Sequence, residues 1–387
     1  MIQSIELKNF KSIKQKYFPL RKLNILMGLN GMGKSSFVQS LLLLRQSDRI
    51  EHGELKLQAG SNGYVNIGTT KDALYQYSKK DENLSITFQF AGKEAYQMEF
   101  GYEIEADVFK QKNLQTDVYG ENKSKIDKSE SLFSNNFQYL NANRVPPQSN
   151  HPKNYSAVVT NKNLGSYGEF TAHFIETYYN DDVAFDSIIH PDSTIKDEVL
   201  GTEIINKTLI NQINLWMGAI SPGVNIKTTT ISSEEVLLEY TFKQPNFGNT
   251  NRFKPENVGF GISYALHVVT ALLSAREGEL VIIENPESHI HPKGQAELGK
   301  LIALVAQNDV QLIIETHSDH IINGIRVAVK ETPVLSKETI LFFFDKVVTE
   351  REQYSKIDNI EIDVNGELSD YPEHMMDEWS NQLLKLL

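Results

Sequence analysis

The chain has 387 residues, and its 38 Lys and Arg against 50 Asp and Glu give a formal charge of −12. That length fits two domains, or one large domain with an insertion, and 40% hydrophobic with 23% charged residues excludes a wholly disordered chain. There is no cysteine, which excludes disulfides, thiolate metal sites and cysteine nucleophiles. No apolar run approaches the ~18 residues of a membrane span, and the first residues carry no apolar signal core. The expectation is a soluble cytoplasmic protein with no membrane partner.

In chain order, residues 2–10 alternate apolar and polar, as a strand does. Leu23–Met27 reads as a short buried strand. A glycine-rich loop follows, and from Ser35 onward Phe37, Val38, Leu41, Leu42 and Leu44 recur at helical spacing. Leu84–Phe90 and Tyr96–Tyr102 alternate with period two around Ala91–Ala95, the pattern of a hairpin in an antiparallel layer. Residues 111–135 are polar and read as a mobile loop. Residues 166–218 read mainly as helices, and Val224–Phe242 returns to strand. An apolar helix over residues 262–275 precedes two short buried strands, Leu280–Ile283 and Gln311–Ile314, with a helical pattern over residues 293–307 between them. Leu341–Phe344 is a further buried strand. Residues 374–387 read as a helix with Met375, Met376, Trp379, Leu383 and Leu384 on one side. There is no internal repeat and no sustained heptad, so no long coiled coil is expected.

The acidic balance argues against a chain coated with basic surface, because non-specific nucleic-acid binding is mostly phosphate neutralisation. Two local runs are basic: Lys8, Lys11, Lys14, Lys16, Arg21 and Lys22, and then Lys123, Lys125 and Lys128. A solvated face is the ordinary reading of such runs, although a local basic groove stays open.

Gly28–Ser35 fits the pattern G-x-x-x-x-G-K-[ST] between a strand and a helix. Backbone N–H groups must wrap the phosphates, and a Cβ would obstruct that approach, hence Gly28, Gly31 and Gly33. Lys34 neutralises the β- and γ-phosphate oxygens, the Ser35 hydroxyl ligates Mg²⁺, and the helix N-terminus faces the anion. The implied cofactors are ATP and Mg²⁺.

A metal-binding acid should end a later buried strand, and Leu280–Glu284 supplies one, with Glu284 holding Mg²⁺ directly or through water. Lys34 and Glu284 lie far enough apart that a large insertion must separate them. Asn257–Ser263 places Gly259, Gly261 and Ser263 at the start of a helix, a second anion site. Two anion sites in one chain suggest two subunits that complete each other's nucleotide site; a glycine turn opening a core helix has the same local look. His317, at the end of the next strand, is placed to hydrogen-bond a γ-phosphate or an attacking water, or to serve structurally.

Gly28–Ser35, Gly259–Ser263, Glu284–Pro292 and Thr316–His317 occur in the order of the ABC-type ATPase heads. The chain resembles the SMC, RecF and OLD group, and its opening Leu7–Ser12 is similar to that group's first strand and turn. More closely, it resembles bacterial AAA-type ATPases that end in a small domain of unknown function and occur in anti-phage defence systems. Tyr139–Arg144, Glu284–Pro292, Glu315–Ile321 and Gly366–Pro372 carry that similarity.

The resemblance implies an α/β fold: an ABC-type P-loop head, with a mixed sheet core and an antiparallel β layer, a helical insertion and no coiled-coil arm. The expected segments are 1–110 for the first part of the head, 111–250 for the insertion, 251–330 for the second part and 331–387 for a small C-terminal domain. The resemblance also implies a head-to-tail homodimer around two nucleotides. Asn30 and Ser36 would join the phosphate-loop contacts. Gly259, Gly261 and Ser263 would reach the partner's γ-phosphate, and His317 would be the switch histidine. His289, His291 and Pro292 would line the dimer seam.

The chain departs from that pattern at Asn285, where the usual heads place a catalytic Glu. An amide is not a general base, so either Glu287 substitutes through water or ATP acts mostly as a dimerisation switch. Slow but real hydrolysis is the expectation, with Glu284, Glu287 and His317 as its catalytic group. A self-contained nuclease of the OLD kind is not expected, because the acids after His320 include no Asp-x-Asp. His289, His291, His317 and His320 do not match a zinc-ligand spacing. Two function classes remain. One is a nucleotide-driven switch that controls a separate effector, often a nuclease. The other is a RecF-like ATPase acting directly on DNA. A non-hydrolysing scaffold is a weaker third.

Overall fold

The computed structural model describes every residue except 61–62, 80–81, 102–104, 113–125, 197–202, 245–247 and 387. In chain order the elements used below are strands β1 (Ile2–Phe10), β2 (Ile13–Pro19) and β3 (Leu23–Gly28), then helix α1 (Lys34–Gln46) and strands β4 (Leu84–Phe90), β5 (Tyr96–Phe100), β6 (Phe137–Leu140) and β7 (Asn150–Pro152). Helices α2 (Thr171–Thr177) and α3 (Leu209–Ile220), strands β8 (Val224–Thr230) and β9 (Glu235–Gln244) and helix α4 (Phe260–Leu273) follow. The chain continues with β10 (Leu280–Glu284), α5 (Pro292–Ala306), β11 (Gln311–Glu315), α6 (Asp319–Glu331), β12 (Thr339–Val348), β13 (Gln353–Glu361) and α7 (Glu378–Leu384).

The residues gather into two compact units. The first comprises Met1–Ser134, Ile340–Glu361 and Asp370–Leu387; the second comprises Asn135–Thr339 and Ile362–Ser369. The C-terminal stretch is divided between the units, with Ile340–Glu361 and Asp370–Leu387 in the first and Ile362–Ser369 in the second.

In the first unit β2, β1, β4 and β5 form an antiparallel sheet in that order. Its alternation is that of a half-buried layer: Leu84, Ile86, Phe88 and Phe90 of β4 are buried and the residues between them are partly exposed. Strand β3 is buried along its whole length, with β12 on its flank and β13 beyond. Strands β12 and β13 pair antiparallel, with Phe344 opposite Ile357. Phe18, Phe37 and Phe342 pack in one aromatic cluster, with ring centroids 4.5 Å apart for Phe18–Phe37 and 5.3 Å for Phe18–Phe342.

In the second unit β6, β10 and β11 run parallel, with Leu280 opposite both Phe137 and Gln311. Their near-continuous apolar runs are buried on both faces, as parallel strands require. Helices α5 and α6 approach closely through glycine. A Cβ on Gly299 would sit 2.3 Å from the Ile321 carbonyl oxygen, and one on Gly324 would sit 2.1 Å from that of Ala296. Residues Val224–Phe242, expected as strand, form two strands, β8 and β9, paired antiparallel, and β7 adds to β9.

Two expectations are corrected. Residues 166–218 are not mainly helical. Between α2 and α3 lie short 3₁₀ turns and a two-stranded ladder, Thr194–Lys196 with Glu203–Ile205, in which β-branched Ile204 and Ile205 favour extended backbone. The tail helix is shorter than residues 374–387 suggested. Met375 is buried ahead of it, while Trp379, Leu383 and Leu384 are exposed. Residues 111–135 are only partly described. Within them Leu132 is fully buried, and its carbonyl accepts a hydrogen bond from Arg45 at 2.7 Å. Lys123, Lys125 and Tyr102 lie outside the described residues. Among the described residues the longest helix has 15 residues, Pro292–Ala306, so none forms a coiled-coil arm.

Candidate functional site

The residues singled out from the sequence fall into two groups. Gly28, Asn30, Gly31, Gly33, Lys34, Ser35 and Ser36 belong to the first unit, and Gly259, Gly261, Ser263, Glu284, Glu287 and His317 to the second.

The loop of the first unit is shaped by what packs behind it. Gly28 closes β3 at φ 138°, and a Cβ there would lie 2.1 Å from the Phe344 carbonyl oxygen of β12. Gly33, at φ 103°, is the N-cap of α1, and a Cβ there would lie 2.5 Å from Ser355 Oγ and 2.6 Å from Ser12 Oγ. Gly31 differs. Its φ is 76°, and a Cβ built on it would meet nothing within 4 Å. Two glycines thus admit neighbouring protein, and the third is exposed with open space beside it. Lys34 is buried, with Nζ donating to the carbonyls of Gly28 (2.7 Å) and Leu29 (3.0 Å). Asn30 and Ser35 are exposed, and Ser36 is buried in the first helical turn. An open loop of backbone amides, a lysine held on its rim and a hydroxyl at the helix start fit the triphosphate and Mg²⁺ of a nucleotide.

In the second unit the C-terminal ends of three parallel strands bring their following loops together. Glu284 ends β10, and its carboxylate accepts from the Tyr139 hydroxyl at 3.0 Å and the Ala142 amide at 3.4 Å. Burial pushes the Glu284 carboxyl up from the ordinary carboxylate range, and it raises the Tyr139 phenol as well. Arg144, only 2% exposed, spans the turn beside them. It donates to the carbonyls of Glu284 (2.7 Å), Asn285 (2.6 Å) and Asn141 (3.3 Å), and its guanidinium lies 5.5 Å from the centre of the Tyr264 ring. Burial pulls this guanidinium down to about 10, so it stays charged at neutral pH.

Asn285 adopts φ 45°, and its amide donates to the Glu315 carbonyl at 2.7 Å. That left-handed residue turns the chain so that Glu287 reaches the loop after β11. The Glu287 carboxylate accepts from the Thr316 hydroxyl (2.8 Å) and from the His317 backbone amide (2.8 Å). Glu287 therefore ties the loop after β10 to the segment bearing His317, whose side chain is exposed. Ser318 caps α6 through its hydroxyl.

The glycine-flanked helix start is α4. Gly259 is its N-cap and is open, with nothing within 4 Å of a Cβ. Gly261 is enclosed: a Cβ there would be 2.2 Å from the His289 carbonyl oxygen. Tyr264 packs edge-on against the His289 ring at 4.9 Å, and Phe260, which is exposed, lies 5.9 Å from it. Ser263 does not present its hydroxyl outward as the sequence suggested. It is buried one turn in, and its Oγ is 3.1 Å from the Tyr240 hydroxyl of β9. The part of this motif open to a ligand is the Gly259–Phe260 end. His289 and His291 are exposed, and His291 caps α5 by accepting from the Lys293 amide at 3.3 Å.

The sequence reading assigned no role to Tyr139, Arg144, Tyr240 or Thr316. Tyr139 and Arg144 lie in a segment it quoted, but a strand-end arginine looks solvated until its burial is seen.

Residues 23–323 match the model of the family described as AAA domain, putative AbiEii toxin, Type IV TA system, and residues 335–386 match a protein family of unknown function, DUF3696. Among curated protein sequences none matches the chain. The fold is similar to that of an SMC head crystallised with the C-winged-helix domain of ScpA, with TM-score 0.54 and 12% identity over 93% of this chain and 98% of that one. An SMC head with an extended coiled coil, bound to the C-terminal domain of ScpA derived from Pyrococcus furiosus, is similar at TM-score 0.49 and 12% identity, over 100% of this chain and 98% of that one. The SMC-head-like P-loop ATPase fold is the one the sequence led us to expect.

Proposed function

The chain belongs to the AAA family of putative AbiEii toxins, and on that premise we propose that it binds ATP with Mg²⁺, hydrolyses it slowly, and uses the bound nucleotide to close a homodimer that controls a separate effector. The single observation that carries this reading is the phosphate loop, in which Gly28 and Gly33 are closed by packing while Gly31 is left open.

In this reading the Gly28–Ser35 amides hold the triphosphate, with Asn30 at the open side and Ser36 in the first helical turn. Lys34 exchanges its two carbonyl partners for phosphate oxygens, and Ser35 and Glu284 are the Mg²⁺ ligands. Bound Mg²⁺ would supply charge neutralisation for phosphoryl transfer. Glu287 is engaged by Thr316 and His317, so it acts on water only through that hydrogen-bonded group. Asn285 supplies no base, which supports a slow rate. The helix start at Gly259–Gly261 and the exposed His289 and His291 form the face offered to the second copy. The effector is proposed to be a nuclease, and the setting anti-phage defence, by the resemblance described above.

A RecF-like ATPase acting directly on DNA is the second reading. It is disfavoured because four of the six basic residues near the N-terminus already have partners within the chain, while Lys8 is exposed. Lys11 donates to Gln39 (2.7 Å), Lys14 pairs with Glu352 (2.7 Å), Lys16 donates to the Ile357 carbonyl (2.7 Å), and Arg21 pairs with Glu361.

Light scattering of the purified chain, with and without Mg²⁺ and ATP, tests the switch. A doubling of mass with nucleotide is expected, and an unchanged mass would remove the dimer from the account. Salt-sensitive DNA binding that requires ATP would instead favour the second reading.

A further inference from the structure

Tyr139 lies in β6, a strand whose four residues are all buried, directly beside Ile282 of β10. It is 2% exposed, at a position where a phenylalanine would serve packing alone. A buried phenol needs a partner for its hydroxyl. This one has partners on two sides. Its oxygen is 3.0 Å from the side-chain nitrogen of Asn141 and 3.0 Å from Glu284 Oε1.

One backbone group sets the direction of these bonds. The Asn143 amide can only donate, and it lies 2.8 Å from the Asn141 side chain, which must turn its carbonyl Oδ1 to it. The Asn141 NH₂ group then faces Tyr139 and donates to the phenol oxygen. The phenol has a single proton, and the acceptor left for it is Glu284 Oε1. That bond fixes the rotation of the carboxylate. Its second oxygen, Oε2, meets the Ala142 amide at 3.4 Å, longer than an ordinary hydrogen bond to a carboxylate. The two ends of the relay are also tied through their backbones, because Arg144 donates both to the Glu284 carbonyl (2.7 Å) and to the Asn141 carbonyl (3.3 Å).

We infer that Asn141 and Tyr139 form a one-way relay that aims Glu284 at its cation, with Oε1 held by the phenol and Oε2 left for Mg²⁺. Both are positioning residues, and they act on the cation through Glu284 alone. This inference rests on the proposed role of Glu284 as a Mg²⁺ ligand. Removing a group that orients a metal ligand lowers metal affinity by about 10–100-fold.

Calorimetry of ATP binding, in Mg²⁺ buffer and again in EDTA, gives the gain in affinity that the cation brings. Tyr139→Phe removes the hydroxyl and keeps the ring. It is expected to lower that gain about tenfold or more, with the affinity in EDTA at the parent value. Asn141→Ala, which frees the phenol to turn, is expected to lose part of the gain. Glu284→Gln is expected to lose it, and adding Tyr139→Phe to Glu284→Gln is expected to lose nothing further. A parent-like gain in either Tyr139→Phe or Asn141→Ala, with the gain lost in Glu284→Gln, would refute the relay and leave the metal role of Glu284 standing. An equal loss in both buffers, or a further loss in the double variant, would also refute it, by showing an effect that bypasses Glu284. If the parent shows no gain, or Glu284→Gln keeps it, the metal role fails and the relay fails with it.

Discussion

Replacing Arg144 by lysine tests the scaffold of the second unit. The guanidinium is 2% exposed and serves three carbonyls, those of Glu284 at 2.7 Å, Asn285 at 2.6 Å and Asn141 at 3.3 Å. A lysine ammonium is a point donor on a flexible stem and cannot reproduce the planar fork. At least one of the two short bonds is lost, and a buried acceptor left unsatisfied costs about 1–3 kcal/mol. Loss of the contact with Tyr264 adds about 0.5–1 kcal/mol, for a total of roughly 1.5–4 kcal/mol. For a unit of roughly 200 residues, each kcal/mol lowers the melting temperature by about 2–4 °C, so a fall of roughly 3–16 °C is expected by calorimetry. Phosphate release should fall with it, because both short bonds fix the backbone that carries Glu284 and the Asn285 turn. A melting temperature within about 1 °C of the parent would refute the reasoning, since it would mean that water or local relaxation replaces the fork without cost.

Gly28→Ala should destabilise the first unit by roughly 3 kcal/mol or more, from left-handed strain plus the collision with the Phe344 carbonyl, and ATP binding should be lost with it; a variant that melts like the parent would show that the β3 end relaxes freely. Glu287→Gln should lower multiple-turnover phosphate release about tenfold or more, and an unchanged rate would move that role to His317 or to no side chain. His267, buried beside Thr171 at 2.8 Å, is pulled down to about 3 by burial first and then by the nearby His151 and Arg144. Its folded-state value lies below its unfolded one, so it costs no stability above about pH 6.5, and stability falls as the pH drops from there, by about 2 kcal/mol at pH 5. The melting-temperature gap between the parent and His267→Gln should therefore narrow from pH 7 to pH 5, and a constant gap would show that His267 does not titrate on unfolding.

Much of the fold is legible in the sequence where local pattern and burial agree. The apolar runs Leu23–Met27, Leu280–Ile283 and Gln311–Ile314 are strands buried on both faces, and the loop after the first announces itself by residue type alone. Period two in Leu84–Phe90 marks a half-buried layer for the same reason. What was not legible depends on long-range packing. Nothing near Ser263 says that Tyr240, on a distant strand, turns its hydroxyl inward. Arg144 reads as a solvated cation until the carbonyls around it are in place. The apolar spacing of Trp379, Leu383 and Leu384 puts them on one helix side, and these residues are exposed, because periodicity records a face and not what covers it. Spacing alone offers Glu287 as a base, and the packing of the loop after β11 engages its carboxylate with Thr316 and the His317 amide.

The central claim is that the Gly28–Ser35 amides grip a triphosphate. The measurement that tests it most directly is a crystal structure of the chain with Mg²⁺ and a non-hydrolysable ATP analogue. The account expects the phosphates along the concave side of the loop at Gly31, with Lys34 turned from the Gly28 and Leu29 carbonyls toward them. An ordered nucleotide bound elsewhere, with Lys34 still on those carbonyls, would contradict it.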